Sequence, residues 1–322
     1  MPRPAPLPDG LSPGPFRSST ARQLGASAGR LRRSDLFKPF HGVRVASTSL
    51  ARHDEADLRE ADEYWRLLEA VALARVDAAL PLLGPHAVLS HTTAARLQHL
   101  PLPLRLRRDL SVHVSVAKRE KRPQVAGIRS HLAPRDIRSA VVVDGRRVTS
   151  PVQTWCALAP LLRLGELVAV GDDLVRRIDP PAATAELRSA VQRSAGRHGA
   201  KKLRTALELV RPRTDSPKET ELRLMLVDGL LPEPIVNHPL FDVRGDFVRH
   251  GDLAYPRHRV LVEYNGEQHR TDDAQFRLDT EQLERIVAAG WLVVQVVKGQ
   301  MSDPTAVTRR VRAALLARGW RP

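Results

Sequence analysis

The chain has 322 residues, which at roughly 150 residues per domain allows about two domains and a sizeable core. Hydrophobic residues make up 42% and charged residues 27%, the balance of a folded globular protein rather than of a chain kept disordered by its charge. Cys156 is the only cysteine, which excludes an intramolecular disulfide and a cysteine-rich zinc site and suits a reducing cytoplasm, and no apolar stretch reaches the roughly 20 residues a membrane helix needs.

The net charge of +15 is unevenly spread. Residues 214–322 hold 15 basic and 16 acidic side chains, leaving 36 basic and 20 acidic among residues 1–213. A basic module joined to a near-neutral one points to DNA as the partner of the first and to a different task for the second.

In chain order, residues 1–15 are proline-rich without apolar periodicity and read as a flexible tail. Beyond them, Ala21, Leu24 and Leu31 stand at near-helical spacing around a turn at 25–27, which predicts a helix-turn-helix outline. Arg22, Arg30, Arg32 and Arg33 on it, with Lys38 and Arg44 on a short wing, are the candidate phosphate contacts. A helix is predicted over 54–83 with an apolar stripe at Trp65, Leu68, Ala72 and Val76, and Ser90 reads as the cap of the next helix. His91 and His99 have no cysteine or acidic partner at ligand spacing and read as structural or capping residues. Period-two alternation over 110–116 predicts a strand, and Asp144-Gly145 between apolar runs over 140–148 predicts a hairpin. Helical patterns follow over 152–159, 166–176 and 182–210. The turn-rich string at 211–217 then marks the expected domain boundary, between residues 16–213 and 214–322.

The last third carries the chemistry. Ser216, Pro217 and Glu219 open a helix as a cap, a first-turn proline and an acid at the positive end of the dipole. Strands are predicted over 235–243, 250–256 and 259–266, then a helix over 272–289, a strand over 291–297 and a basic helix over 305–318. If Arg257 and His258 form the turn between the second and third strands, Asp252 faces Glu263 with Cβ atoms roughly 5 Å apart, while Leu253, Tyr255, Val260 and Val262 share the opposite, apolar face. Two opposed carboxylates destabilise a sheet unless a cation lies between them, and oxygen donors suit Mg²⁺ or Mn²⁺. Asn265 falls on the face of Glu263.

The overall class expected is α+β: a helix-turn-helix-like and mixed helix and strand region followed by an αβββαβ domain. That element order, with Ser216-Pro217-Lys218-Glu219-Thr220, Gly251-Asp252-Leu253-Ala254-Tyr255-Pro256, the run Val262 to Arg270 and the run Leu283 to Trp291, resembles the PD-(D/E)XK nuclease superfamily, in particular relatives of the very-short-patch-repair endonucleases. The resemblance covers about residues 214–322. It implies a restriction-endonuclease-like fold in which Asp252, Glu263 and the Tyr264 carbonyl hold the metal. Glu219 would support the ion, and His269 would assist near the scissile phosphate. Asn265 departs from the acid or lysine usual at its place. Residues 85–175, with the runs Leu89 to Leu97 and Arg147 to Val152, resemble the antitoxin-type regions of abortive-infection proteins. The expected function is a metal-dependent DNA endonuclease of the cytoplasm, the alternative being a DNA-binding regulator or antitoxin with an inactive nuclease fold.

Overall fold

The computed structural model describes residues 5–11, 14–46, 60–132, 140–266 and 273–322. The chain is α+β and divides into two compact units, Met1–Ala157 and Leu158–Pro322.

The first unit begins with a three-stranded antiparallel sheet in the order β1-β3-β2, formed by β1 (Phe16–Arg17), β2 (Leu36–Phe37) and β3 (Val43–Ala46) around α1 (Ser18–Gln23). Phe16, Ala21, Ala26, Leu31 and Leu36 form its core, and Leu7 and Leu11 pack against them. Residues 5–11 therefore belong to the fold rather than to a tail, because two leucines four apart cover apolar surface that the small sheet leaves open. The helix-turn-helix outline is also corrected. The helix ends before Gly25, whose φ of 97° suits glycine, and only a 3₁₀ turn at Arg30–Arg32 follows. With Leu31 as its single buried residue that segment has no apolar stripe to sustain a second helix, while alternation at Val43 and Val45 draws the chain into strands. The expected wing is present as the β2–β3 pair.

The helix expected over 54–83 appears as α2 (Glu60–Ala79), with its earlier part outside the described residues. It buries Ala72 and Val76 as predicted. After it come β4 (Val88–Leu89), α3 (His91–Leu97), α4 (Leu104–Arg107), β5 (Val112–Val116), β6 (Ile128–Leu132), β7 (Val141–Val143), β8 (Arg146–Val148) and α5 (Pro151–Leu158). The strands form a mixed sheet in the order β6-β5-β4-β8-β7. Val143 pairs with Arg146, leaving Asp144 and Gly145 as a two-residue turn with φ of 46° and 75°, the positive values that an Asp-Gly hairpin uses. Val76, Leu89, Val112, Val114 and Val148 bury the inner face against α2.

The second unit opens with α6 (Leu164–Leu174), α7 (Thr184–Arg193) and α8 (Ala200–Leu209). The single helix expected over 182–210 is thus two, broken where Gly196 and Gly199 take φ of 76° and 85°. A Cβ on Gly199 would lie 3.1 Å from the Ala159 backbone, so this close approach also requires glycine. Then follow α9 (Pro217–Asp228), β9 (Ile235–Phe241), β10 (Phe247–Tyr255), β11 (Val260–Asn265), α10 (Asp273–Ala288), β12 (Leu292–Val297) and α11 (Pro304–Ala317), in the order read from the sequence. The sheet order is β12-β11-β10-β9, with β11 and β12 parallel and the other pairs antiparallel. Leu222 and Leu226 of α9 and Val307, Val311 and Leu315 of α11 bury one face, against Leu253, Tyr255, Val260 and Val262. At roughly 1.5–3 kcal/mol for each large side chain removed from water, this cluster is a main source of the unit's stability. Ile286 of α10 packs with Leu240, Val248, Ala254 and Leu261 in a second cluster.

The unit boundary at 157/158 differs from the expected 213/214. The reason is a fully buried ion pair that ties α6 to α9: Arg223 Nη2 donates to Asp172 Oδ2 at 2.9 Å, and both side chains are 1% exposed. Thr220 Oγ1 (2.7 Å) and the Arg211 N–H (2.7 Å) donate to the same carboxylate. The shift in charge at 213 marks a change of surface, not a gap between cores.

Candidate active site

Glu219 is set by the start of α9. Ser216 accepts the Glu219 N–H at 3.2 Å, as its sequence position predicts for a cap. The Glu219 side chain then turns inward, where Oε2 accepts from the Asp215 N–H (3.0 Å) and from Asn237 Nδ2 (3.0 Å). Burial raises its pKa, against the pull of these donors.

Strands β10 and β11 pair in the predicted register, with Leu253 opposite Val262, Ala254 opposite Leu261 and Tyr255 opposite Val260. The connection is a 3₁₀ turn at Pro256–His258 closed by Arg259 at φ 49°, longer than the two residues expected. One step beyond Leu253 the ladder stops. Instead of extending it as one of two opposed carboxylates, Asp252 accepts the Tyr264 N–H on Oδ2 at 2.8 Å, so its side chain takes a backbone donor that a strand would otherwise use. Gly251 allows this, since a Cβ there would lie 2.5 Å from Leu261 Cδ1 and 2.8 Å from Leu240 Cδ1.

Glu263 is buried and shares the alternation of Leu261 and Asn265 along β11. Its Oε2 accepts from Arg249 Nη2 at 2.6 Å, while its Oε1 is buried with no hydrogen-bond partner. Burial raises the Glu263 pKa, Arg249 opposes the rise and Asp279 of α10 adds to it. Asp252 is pushed up to about 7, first by burial and then by repulsion from Glu219 and Glu263; Tyr264 and Arg249 pull it back. Glu219 and Glu263 thus lie close enough to Asp252 to repel it, with the Arg249 guanidinium beside Glu263. The carboxylate oxygens of Asp252 and Glu263, one of them unpartnered, are donors of the kind a hard divalent cation takes.

Of the residues expected here, Asp252, Glu263 and Glu219 come together, and Asn265 lies at the exposed end of β11. Tyr264 reaches the site through its N–H. His269 lies outside the described residues. Asn237, Arg249 and Asp279 were not anticipated. Arg249 lies three residues before Asp252, a cation close to the acid pair that sequence spacing does contain; Asn237, at φ 47° within a strand, leaves no such trace. Arg285 binds Asp242 at 2.8 Å and holds its carboxyl down to about 2.

In the first unit Arg22, Arg32, Arg33 and Lys38 are exposed. Arg30 instead binds both Asp35 oxygens, at 3.0 and 2.7 Å, and Arg44 donates to the Leu31 and Val43 carbonyls at 2.7 and 2.9 Å. Those two arginines cross-link the small sheet.

Comparison with known proteins gives no match to a family model and no match to a solved structure. The chain is 28% identical over 225 residues to two uncharacterized proteins of Mycobacterium tuberculosis, MT2308 of strain CDC 1551 and Rv2248 of strain H37Rv. The aligned region covers 70% of this chain and 79% of each of them. No helix among the described residues is long and apolar enough to cross a membrane.

Proposed function

We propose that the protein is a metal-dependent DNA endonuclease of the PD-(D/E)XK type, with Asp252 and Glu263 at its centre and Mg²⁺ or Mn²⁺ as cofactor. The observation that carries this reading is a half-buried Asp252 whose carboxyl is pushed up to about 7 by its surroundings and by Glu219 and Glu263, the latter with a buried oxygen that has no partner. Buried groups perturbed by desolvation and like charge gather where chemistry is done. A cation held by Asp252, Glu263 and the Tyr264 carbonyl would lower the pKa of a bound water and neutralise charge on the phosphate oxygens.

The chain's own groups supply the rest. Glu219, fixed by Asp215 and Asn237, keeps negative charge near Asp252 and so favours a cation there. Arg249, beside Glu263, offers a positive charge to a phosphate oxygen, a role that Asn265 cannot take because an amide carries none. Asn265 orients, and the His269 imidazole passes protons. The exposed Arg22, Arg32, Arg33 and Lys38, with the exposed Phe37 between them, suit contact with a DNA backbone.

Arg249 also favours a second reading, because its guanidinium already balances Glu263 without a metal. In that reading the nuclease fold is inactive and the protein is a DNA-binding regulator or antitoxin. Supercoiled plasmid incubated with the purified chain and Mg²⁺ or Mn²⁺ decides between them. Nicking that EDTA stops supports the enzyme; binding of the plasmid at low salt without nicking supports the regulator.

A further inference from the structure

Three histidines distant in sequence meet in the first unit. On the parallel strands β5 and β6, His113 pairs with Arg129 and Ser115 with His131, so 113, 115, 129 and 131 share the face opposite Val112 and Val114. His91 opens α3 directly after the buried Ser90. One ring nitrogen from each of His91, His113 and His131 lies within 4.8 Å of the others. His131 Nε2 and His113 Nδ1 are 3.0 Å apart, and the rings of His91 and His131 stack at 3.6 Å between centroids.

We propose that His91, His113 and His131 bind a divalent transition metal, Zn²⁺ foremost, with a fourth position open to water or an anionic oxygen. Three imidazoles with one vacant position form a recurring zinc donor set with donor nitrogens about 2.0–2.1 Å from the ion, and the stacked rings of His91 and His131 would turn to aim their nitrogens at one point. A further observation points the same way. The His91 Nδ1 is held by Ser90 Oγ at 2.9 Å, and Ser90 in turn accepts from Ser115 Oγ at 2.8 Å. That leaves His91 Nε2 for the metal, with the far side of its ring fixed as ligating histidines commonly are. Burial lowers the pKa of all three rings, aided by repulsion from the neighbouring rings at His91, from His131 at His113, and from Arg122 and Arg129 at His131, which keeps them in the neutral, ligating form. The charged groups facing the cluster are Arg129, Arg122 and Asp109. Arg129 is paired with Asp109 at 3.2 Å, and Arg122 favours negative charge on the fourth ligand.

The site is independent of the nuclease reading, and its test keeps the two apart. Nitrogen donors select Zn²⁺ over Mg²⁺ and Mn²⁺, whereas the carboxylate centre prefers the latter. The full chain carrying Asp252→Asn and Glu263→Gln is stripped with chelator and titrated with Zn²⁺ against a chromophoric competitor. One Zn²⁺ per chain is expected. Adding His131→Gln should weaken it by more than the roughly 10–100-fold that losing a supporting hydrogen bond costs, and His131→Cys, which restores a ligand, should recover part. Absence of Zn²⁺ binding, or equal binding by the His131→Gln chain, overturns the proposal. Should His131→Gln fail to fold, the melting temperature of the parent chain decides: it rises with Zn²⁺ but not with Mg²⁺, and no rise overturns the site.

Discussion

Two aspartates of the second unit, the buried Asp172 and the half-buried Asp252, differ in what surrounds their carboxylates. Burial raises the pKa of both. Around Asp172 three donors oppose that cost: a guanidinium, a hydroxyl and a backbone N–H all donate within 2.9 Å. Around Asp252 one N–H donates and two other acids repel, with Arg249 already turned to Glu263. Burial by itself therefore marks no site. The excess of acids over donors is what sets Asp252 apart, because such a group must keep a proton or gain a cation to be stable.

The comparison can be broken by substitution. The largest effect expected is loss of metal-dependent plasmid cleavage in Asp252→Ala or Glu263→Ala, with DNA affinity kept within a few fold; undiminished cleavage in either variant would remove these residues from the centre. Asp172→Ala should do the reverse, leaving the buried Arg223 with Glu233 as its one acidic partner and costing roughly 3 kcal/mol in a denaturant titration. A loss below about 1 kcal/mol would mean that the pair does not hold α6 to α9.

A smaller effect separates the two by pH. The Asp252 carboxyl moves from 3.8 in the unfolded chain to about 7 when folded. Between those values the unfolded chain has released a proton that the folded chain keeps, so metal-free stability falls as pH rises and levels off above about 7. Asp252→Asn should flatten that decline in melting temperature; an unchanged slope would show that Asp252 titrates normally. The smallest effect concerns the first unit. Replacing one of Arg22, Arg32, Arg33 or Lys38 by Ala should lower the slope of log affinity for duplex DNA against log salt by up to about 1, whatever the DNA sequence. Arg30→Ala should act through stability instead, because Arg30 is bound to Asp35.

The sequence by itself determined much of the second unit. Alternation and turn residues set the register of β10 on β11, and Ser216-Pro217 set the start of α9, since these depend on neighbours a few positions apart. The placement of Asp252 and Glu263 on paired strands, and of Glu219 in the first turn of α9, was legible for that reason. What only the tertiary structure decided depends on contacts between distant segments. The ladder opens at Asp252 because Gly251 packs under Leu240 and Leu261. Arg249 reaches Glu263 across a strand pair, and Asp172 joins the helices before residue 213 to those after it. His91, His113 and His131 show this most plainly: no local spacing unites them, and a sheet register together with a helix start brings their rings to one point.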